Sequence, residues 1–440
     1  MKVAYLTAGA AGMYCGSCLN DNTLARTLGQ KGVDIALLPT YTPIRTDEVD
    51  VSMDRVFFGG INVYLQQKFA FFRNTPWIVD RLLNTRPLLK LASRLSGSTN
   101  ARMLGTMTIA VLEGQHGPLR KELDKLVDWL KTDFQPDLVH LTNAMFVGLA
   151  GRIKDELDVP VTCGLPGEDL FLDALVEPYR SEAMEALYKG AQDIDAFLAP
   201  SQYYQHAMAA YMRVDPARIH YASMGLDMSQ EVSEPQSHGQ DAPFTIGFLA
   251  RRAPEKGLHI LLNAFKLLAQ QHGKQAVALK VAGFLAPQNK AWYQGLVADM
   301  EAAGLGDRIN WVGELDGAGK SHFFKDLHAF SMPASYQEPK GRSVLEALAH
   351  AVPVVQPNHG AFPHMLEQTG GGLLVQPGDP QALADGLSQL MDNEEKRLSL
   401  ARQGRDQVRA HYTADQMAER VLQVWKKQLS AKDSAQPNEA

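Results

Sequence analysis

Two glutamates stand on either side of a polar loop in "SMPASYQEPKGRSVLEALAHAVPVV": Glu338 just after a strand-like run, and Glu346 inside a helix-like one. Two carboxylates at the carboxyl end of a parallel strand lie where open α/β sheets bind ligands. Each also has a plainer account. Ser343 followed by Glu346 is a capping box, which closes a helix start with no ligand, and Glu338 is a solvated loop charge. Upstream, "FLARRAPEKGLHILLNAF" gathers Arg251, Arg252 and Lys256 ahead of a helix that begins near Pro254, a favoured first-turn residue. Cations at a helix N-terminus oppose the macrodipole, which favours negative charge there. The cluster therefore predicts a bound anion, most simply a phosphate or diphosphate, with Gly257 allowing close approach. The competing account is that these long side chains snorkel into water. An anion site next to a carboxylate suited to a ribose diol describes a pocket for a nucleotide-diphosphate sugar.

A third chemistry is written near the start, in "TAGAAGMYCGSCLNDN", residues 7 to 22. Cys15 and Cys18 have redox spacing, and a thiolate at a helix N-terminus has a lowered pKa. The same stretch is a glycine-rich turn between strand and helix: Gly12 and Gly16 permit close backbone approach, and Asn20 can donate a hydrogen bond. A lone C-x-x-C with no second pair is weak as a zinc site. Asp193 and Asp195 in "AQDIDAFLAPS" have metal-binding spacing but precede their strand, the wrong end of a parallel sheet for ligands. They predict a solvated turn, and no metal is expected. His140 and Asn143 in "DLVHLTN" lie at a strand end, where the histidine is either a packed core residue or a local hydrogen-bonding group.

These residues need elements to hold them. Short apolar runs alternate with helix-period segments along almost all of the 440 residues: "KVAYLTA", "VDIALLP", "PDLVHLT", "VPVTCG", "AFLAPS", "RIHYAS", then "FTIGFLA", "VALKVAGF", "RINWVG", "AFSMPAS", "PVVQP" and "GLLVQP". Such alternation predicts an α/β fold of parallel sheets wrapped by helices, and twelve strands suit two doubly wound sheets. A polar, aperiodic seam at 227–243 separates a first domain, 1–226, from a second, 244–430, with 431–440 as a flexible tail. A helical insertion is expected near 68–130. Its segment 68–95 is apolar and basic, and is either a solvated helix pair or a peripheral contact with anionic lipid. Hydrophobic residues are 45% and charged residues 21%, ordinary for a globular chain, and the net charge of −6 argues against a nucleic-acid partner. No apolar run approaches a membrane span. Only three cysteines, Cys15, Cys18 and Cys163, fit a reducing, cytoplasmic setting, with the inner membrane face as the place of any peripheral contact.

The second half resembles glycosyltransferase family 4. The family's E-x7-E signature appears as Glu338 to Glu346, its G-R-L-x-x-x-K-G segment as "ARRAPEKG", and the likeness continues through "PVVQPNHGAFPHMLEQTGGGLLVQPGDPQALADGL". The first half is similar more weakly, through "LARTLGQKGVDIALLP". The resemblance implies the GT-B fold, two Rossmann-like domains facing a cleft, and retaining transfer of a sugar from a nucleotide-diphosphate sugar to a hydroxyl acceptor. No further cofactor is implied. Carried onto this sequence, Arg251 and Lys256 bind the donor diphosphate and Glu346 holds the ribose. Glu338 orients the sugar, while Gly341, Arg342 and Ser343 line sugar and phosphates with backbone N–H groups. Gly16 falls in the donor-facing turn, with Gly12, Asn20, His140, Asn143, Glu168 and Asp169 on the acceptor side. The sequence departs from the pattern at Ala250 for glycine, at "EPKGRS" for a hydrophobic pair, at His364 for glutamate, and at Pro166 in "PGED" for histidine. Two other functions compete: a thiol–disulfide protein using Cys15 and Cys18, and a catalytically silent sugar-nucleotide-binding module.

Overall fold

All twelve expected strand runs form strands, and every pairing between them is parallel. In this computed structural model, which describes residues 1–9, 16–46, 48–53, 101–228 and 242–435, they divide into two six-stranded sheets. The first sheet has β1 (Lys2–Thr7), β2 (Asp34–Pro39), β3 (Leu138–Leu141), β4 (Val161–Gly164), β5 (Ala196–Ala199) and β6 (Ile219–Tyr221), in the order β2-β1-β3-β4-β5-β6. The second has β7 (Phe244–Leu249), β8 (Val277–Ala282), β9 (Ile309–Trp311), β10 (Ala329–Phe330), β11 (Val354–Pro357) and β12 (Gly372–Val375), in the order β12-β11-β10-β7-β8-β9. Strand β7 reads "FTIGFL" and is buried at every position, as a central parallel strand covered on both faces must be.

Helices fill the connections. In the first unit these are α1 (Gly16–Gln30), α2 (Ala101–Glu113), α3 (Arg120–Trp129), α4 (Ala150–Leu157), α5 (Asp169–Asp173), α6 (Tyr179–Gly190) and α7 (Gln202–Met212). The second unit adds α8 (Leu258–His272), α9 (Lys290–Ala302), α10 (Gly317–Lys325), α11 (Arg342–Ala349), α12 (Phe362–Thr369), α13 (Pro380–Asp392) and α14 (Glu394–His411). A last helix, α15, spans Ala414–Ala435. Strand β1 shows how the pleat sorts side chains. Val3 and Tyr5 enter one core and Ala4 and Leu6 the other, because successive Cβ atoms point to opposite faces.

The chain leaves the first unit at Gly225, within a residue of the expected boundary, and the second unit is Leu226–Ala414. The far boundary is a correction: residues 415–430 do not belong to the second domain. Helix α15 returns to the first unit, and its residues 431–435, expected in the tail, are helical. Met417, Ala418, Val421, Val424 and Trp425 form a stripe at helical spacing. That stripe covers Val3, Tyr5, Leu24, Leu28 and Leu138, with Trp425 wholly buried. Lys31 pins the start of the helix by ion pairs of 2.9 Å to Asp415 and 3.2 Å to Glu419. Most of the seam, the basic segment 68–95, Gly12 and Cys15 lie outside the described residues. Among the described residues no helix is long and apolar enough to cross a membrane.

Candidate active site

In the second sheet the connections from β7 run outward through β8 and β9, while β10, β11 and β12 lie on its other side. The topology therefore switches between β7 and β10, and ligands of open α/β sheets bind outside the carboxyl ends of the strands at such a point. Both segments singled out in the sequence leave the sheet there. Strand β10 ends after Phe330 because the Met332 N–H goes to the side-chain oxygen of Gln356 (3.3 Å), and Pro333 has no N–H to offer. The two loops touch closely. A Cβ on Gly257 would stand 1.7 Å from the Pro333 carbonyl oxygen, and the Ser335 N–H donates to the Glu255 carbonyl at 3.0 Å. Gly257 has φ +76°, so glycine is required there twice over.

This contact brings Lys256 to Glu338. The Lys256 Nζ donates to Glu338 Oε2 at 2.6 Å and to the Tyr336 hydroxyl at 2.7 Å, and that hydroxyl donates to the same Oε2 at 2.5 Å. The ammonium also lies 4.8 Å from the Tyr336 ring centroid. Glu338 is 4% exposed, so it is not a solvated loop charge. Burial alone would raise its pKa, but the Lys256 charge and the hydrogen bonds from Lys256 and Tyr336 hold it down at about 2. Its other oxygen, Oε1, faces the N–H groups of Lys340 and Gly341, each at 3.3 Å. Gly360, at φ +62°, lets the following βα loop press against the Glu338 backbone, where a Cβ would come within 2.7 Å.

Glu346 is also engaged, though not as a cap. Helix α11 starts after Gly341, which adopts the left-handed conformation as its N-cap, so Ser343 lies inside the first turn and no capping box forms. Glu346 Oε1 instead accepts from Arg342 Nε at 3.0 Å and Lys320 Nζ at 3.2 Å. Burial pushes the Glu346 carboxyl up, and the charges of Lys320 and Arg342 bring it net below the usual value. Arg342 Nη1 is buried without a protein acceptor. Arg251 is 54% exposed and bonds Glu255 at 3.1 Å. Arg252 is spent on structure: it donates to the Gly283 carbonyl and the Tyr293 hydroxyl, both at 2.9 Å.

In the first unit the structure gathers a group around Asp21, a residue of α1. Its carboxylate accepts from Tyr5 and Thr7 hydroxyls at 2.7 Å and from Thr142 at 2.6 Å, tying α1 to the carboxyl ends of β1 and β3. The first sheet switches direction between those two strands. Gly16 begins α1, and Asn20 is on it with a buried side-chain oxygen lacking a protein donor. His140 is a packed core residue: its ring meets Tyr5 edge-on at 4.6 Å, Nδ1 lies 2.8 Å from Thr162 Oγ1, and burial lowers its pKa to about 3. Asn143 caps the following turn by accepting the Met145 N–H. Glu168 accepts N–H bonds from Ala144 and Gly167, and burial outweighs them to raise its pKa to about 7. Asp169 accepts the Tyr204 hydroxyl at 2.8 Å. Asp195 is a turn residue bonded to the Val161 N–H and Lys154. Cys18 is 3% exposed within the core, the setting of an inert structural thiol rather than a reactive one.

Two family models match consecutive parts of the chain. The one described as Glycosyltransferase Family 4 covers residues 110–230, and the one described as Glycosyl transferases group 1 covers residues 230–407. The chain belongs to the family 4-type glycosyltransferases. Among similar proteins, phosphatidyl-myo-inositol mannosyltransferase of Mycobacterium leprae is 32% identical over 125 residues, 28% of this chain and 33% of that one. D-inositol 3-phosphate glycosyltransferase of Corynebacterium urealyticum is 25% identical over 181 residues, 41% of this chain and 42% of that one. The matches thus span less than half the length of these two curated relatives. Solved structures align over far more. Anabaena HepE in complex with UDP gives a TM-score of 0.67 at 16% identity, covering 97% of this chain and 100% of that one. Sucrose-phosphate synthase from Thermosynechococcus elongatus gives 0.70 at 15% identity, covering 98% and 100%. The shared architecture is the GT-B fold of two parallel-sheet α/β domains, as the sequence implied.

Three residues of this glycosyltransferase escaped the sequence reading: Tyr336, Lys320 and Asp21. Tyr336 stands two positions before Glu338, so a phenol beside a carboxylate was a usable signal. Lys320 and Asp21 meet partners far along the chain, which no spacing reveals. The pairing at Glu346 makes a test. A capping box tolerates glutamine, whereas two cations left facing a neutral amide do not. Glu346→Gln is expected to lose about 1–3 kcal/mol of stability, the range for a buried polar pairing broken on one side. Urea unfolding checks it, and an unchanged midpoint would return Glu346 to a passive role.

Proposed function

We propose that this chain is a retaining glycosyltransferase that moves a sugar from a nucleotide-diphosphate sugar to a hydroxyl acceptor. The observation that carries the reading is the Lys256–Glu338 pair at the β7–β10 switch point, beside the first turn of α11. Lys256, with Arg251 at the rim, takes the donor diphosphate and stabilises its departure. The Arg342 and Ser343 N–H groups, in the first turn of α11, have no acceptor within the helix and face the same anion. Glu346 holds the ribose hydroxyls, and Glu338 supports positive charge as it develops at the anomeric carbon. The departing phosphate and the acceptor hydroxyl meet on one face of the sugar, so no protein nucleophile is called for. The HepE structures hold UDP, and one of them UDP-glucose, which favours a nucleotide sugar as donor here. The acceptor class includes glycans, small molecules and, given the basic segment 68–95, lipid-linked hydroxyls.

A panel of nucleoside diphosphates and nucleotide sugars, read by thermal shift and followed by transfer assays, tests the reading. A ligand at a hundred times its Kd stabilises the fold by about 2.7 kcal/mol, a shift of several degrees. No stabilisation by any nucleoside diphosphate at millimolar concentration would defeat the donor assignment. Binding without transfer or donor hydrolysis would leave the silent binding module.

A further inference from the structure

We propose that Tyr336 is a positioning residue whose hydroxyl holds the Glu338 carboxylate when Lys256 turns to a donor diphosphate. The inference rests on the diphosphate role given to Lys256 above. In the structure the Lys256 ammonium is committed to Glu338 at 2.6 Å, yet its side chain keeps 13% exposure and so can reach a ligand. One ammonium cannot serve both partners at full strength. If it left Glu338 with nothing in its place, a buried carboxylate would lose its counter-ion, which costs several kcal/mol and opposes donor binding.

Tyr336 is placed to remove that conflict. Its hydroxyl accepts from Lys256 at 2.7 Å and donates to Glu338 Oε2 at 2.5 Å, so it already shares the oxygen that Lys256 would release. Hydrogen bonds to an ionised acceptor are the strong ones, and this one needs no movement of its own when Lys256 departs. The ring adds a second function. With the ammonium 4.8 Å from its centroid, it offers a cation–π surface along which Lys256 can shift while keeping a favourable contact. The backbone donors of Lys340 and Gly341 steady the other oxygen at 3.3 Å. Tyr336 and those two N–H groups therefore hold Glu338 in one orientation with or without Lys256.

A double-mutant cycle separates this role from simple packing. Calorimetric titration with UDP, GDP and ADP gives the affinity of wild type, Tyr336→Phe, Lys256→Ala and the double variant. Tyr336→Phe is expected to weaken the preferred diphosphate roughly ten- to a hundredfold in the wild-type background, the scale of one hydrogen bond to a charged group. In the Lys256→Ala background, where no ammonium has to be released, it should weaken it less than twofold. Equal losses in both backgrounds would mean a merely structural tyrosine, and no loss in the wild-type background would also overturn the proposal. If Lys256→Ala itself leaves diphosphate affinity unchanged, the diphosphate reading falls and takes this inference with it. If only Tyr336→Phe is silent, the inference falls alone. A second cycle on Glu338→Gln guards against misfolding of either variant: with no carboxylate charge to hold, the Tyr336→Phe loss should again shrink below twofold.

Discussion

Glu338→Gln is expected to lower kcat roughly ten- to a thousandfold, the range for a single electrostatic contributor, with only a modest change in donor affinity. The carboxylate is 4% exposed and held at a pKa of about 2, so it is ionised at every pH where the enzyme would be assayed. Glutamine keeps the shape but removes the charge beside an anomeric carbon that becomes positive. Interactions stronger in the transition state than in the ground state act on turnover rather than on binding. The amide also fits its surroundings poorly, because its NH₂ would face donors on either side: Lys256 and Tyr336, or the N–H groups of Lys340 and Gly341. Some stability should therefore go as well. The sign follows from the depressed pKa. The wild-type advantage is present above the ordinary carboxylate pKa and is lost as pH falls from there toward about 2. Urea unfolding at pH 7 and pH 3 should show the gap between the two proteins narrowing with acid. Wild-type turnover in the variant, measured on the true acceptor, would reduce Glu338 to an architectural role.

Lys256→Ala should weaken nucleoside-diphosphate binding by roughly ten- to a hundredfold, the cost of a lost charge-assisted hydrogen bond. It should also cost stability, since it strips a buried carboxylate of its cation; the full penalty of about 3–5 kcal/mol is softened by Tyr336. Arg251→Ala makes the contrast. That side chain is 54% exposed, and its partner Glu255 lies four residues further along the chain. Such pairs are screened by solvent and worth little to the fold. Arg251→Ala should leave the unfolding midpoint in place and lower diphosphate affinity only severalfold. Calorimetric titration of both variants decides between them, and a larger loss from Arg251→Ala would move the diphosphate away from the Lys256 side of the loop.

The strands were legible because a buried parallel strand must be an apolar run bounded by turn residues, and "FTIGFLA" or "PVVQP" admit little else. The end of the first unit's long segment at Gly225 was legible because the sequence that follows it lacks periodicity. Helix α15 was not assigned to its proper core for a physical reason. Its stripe from Met417 to Trp425 announces one apolar face, but an apolar face is complementary to any core, and adjacency in the chain pointed to the wrong one. Glu338 was legible as a chemical group and illegible as a buried one, since its counter-ion lies on a loop from another strand. At Glu346 the letters S-x-x-E matched a helix-start motif, but the left-handed Gly341 moved the start earlier and freed the glutamate for Arg342 and Lys320.

The first unit is interrupted in sequence, and that has a consequence for how the protein is made. About 190 residues of the second unit separate Gly225 from Asp415. At synthesis rates of roughly 5–20 residues per second, the ribosome takes on the order of 10–40 s to cross that stretch. Through this interval β1, β2 and β3 can pair, but the face that Trp425 will cover, with Val3, Tyr5 and Leu28 on it, has no lid. The second unit, contiguous in the chain, can complete its core while the first waits. The nascent polypeptide therefore carries an uncovered apolar surface throughout this interval, the condition under which holding chaperones engage and premature self-association begins. Of the two units, the one whose translation starts earlier is the one completed later.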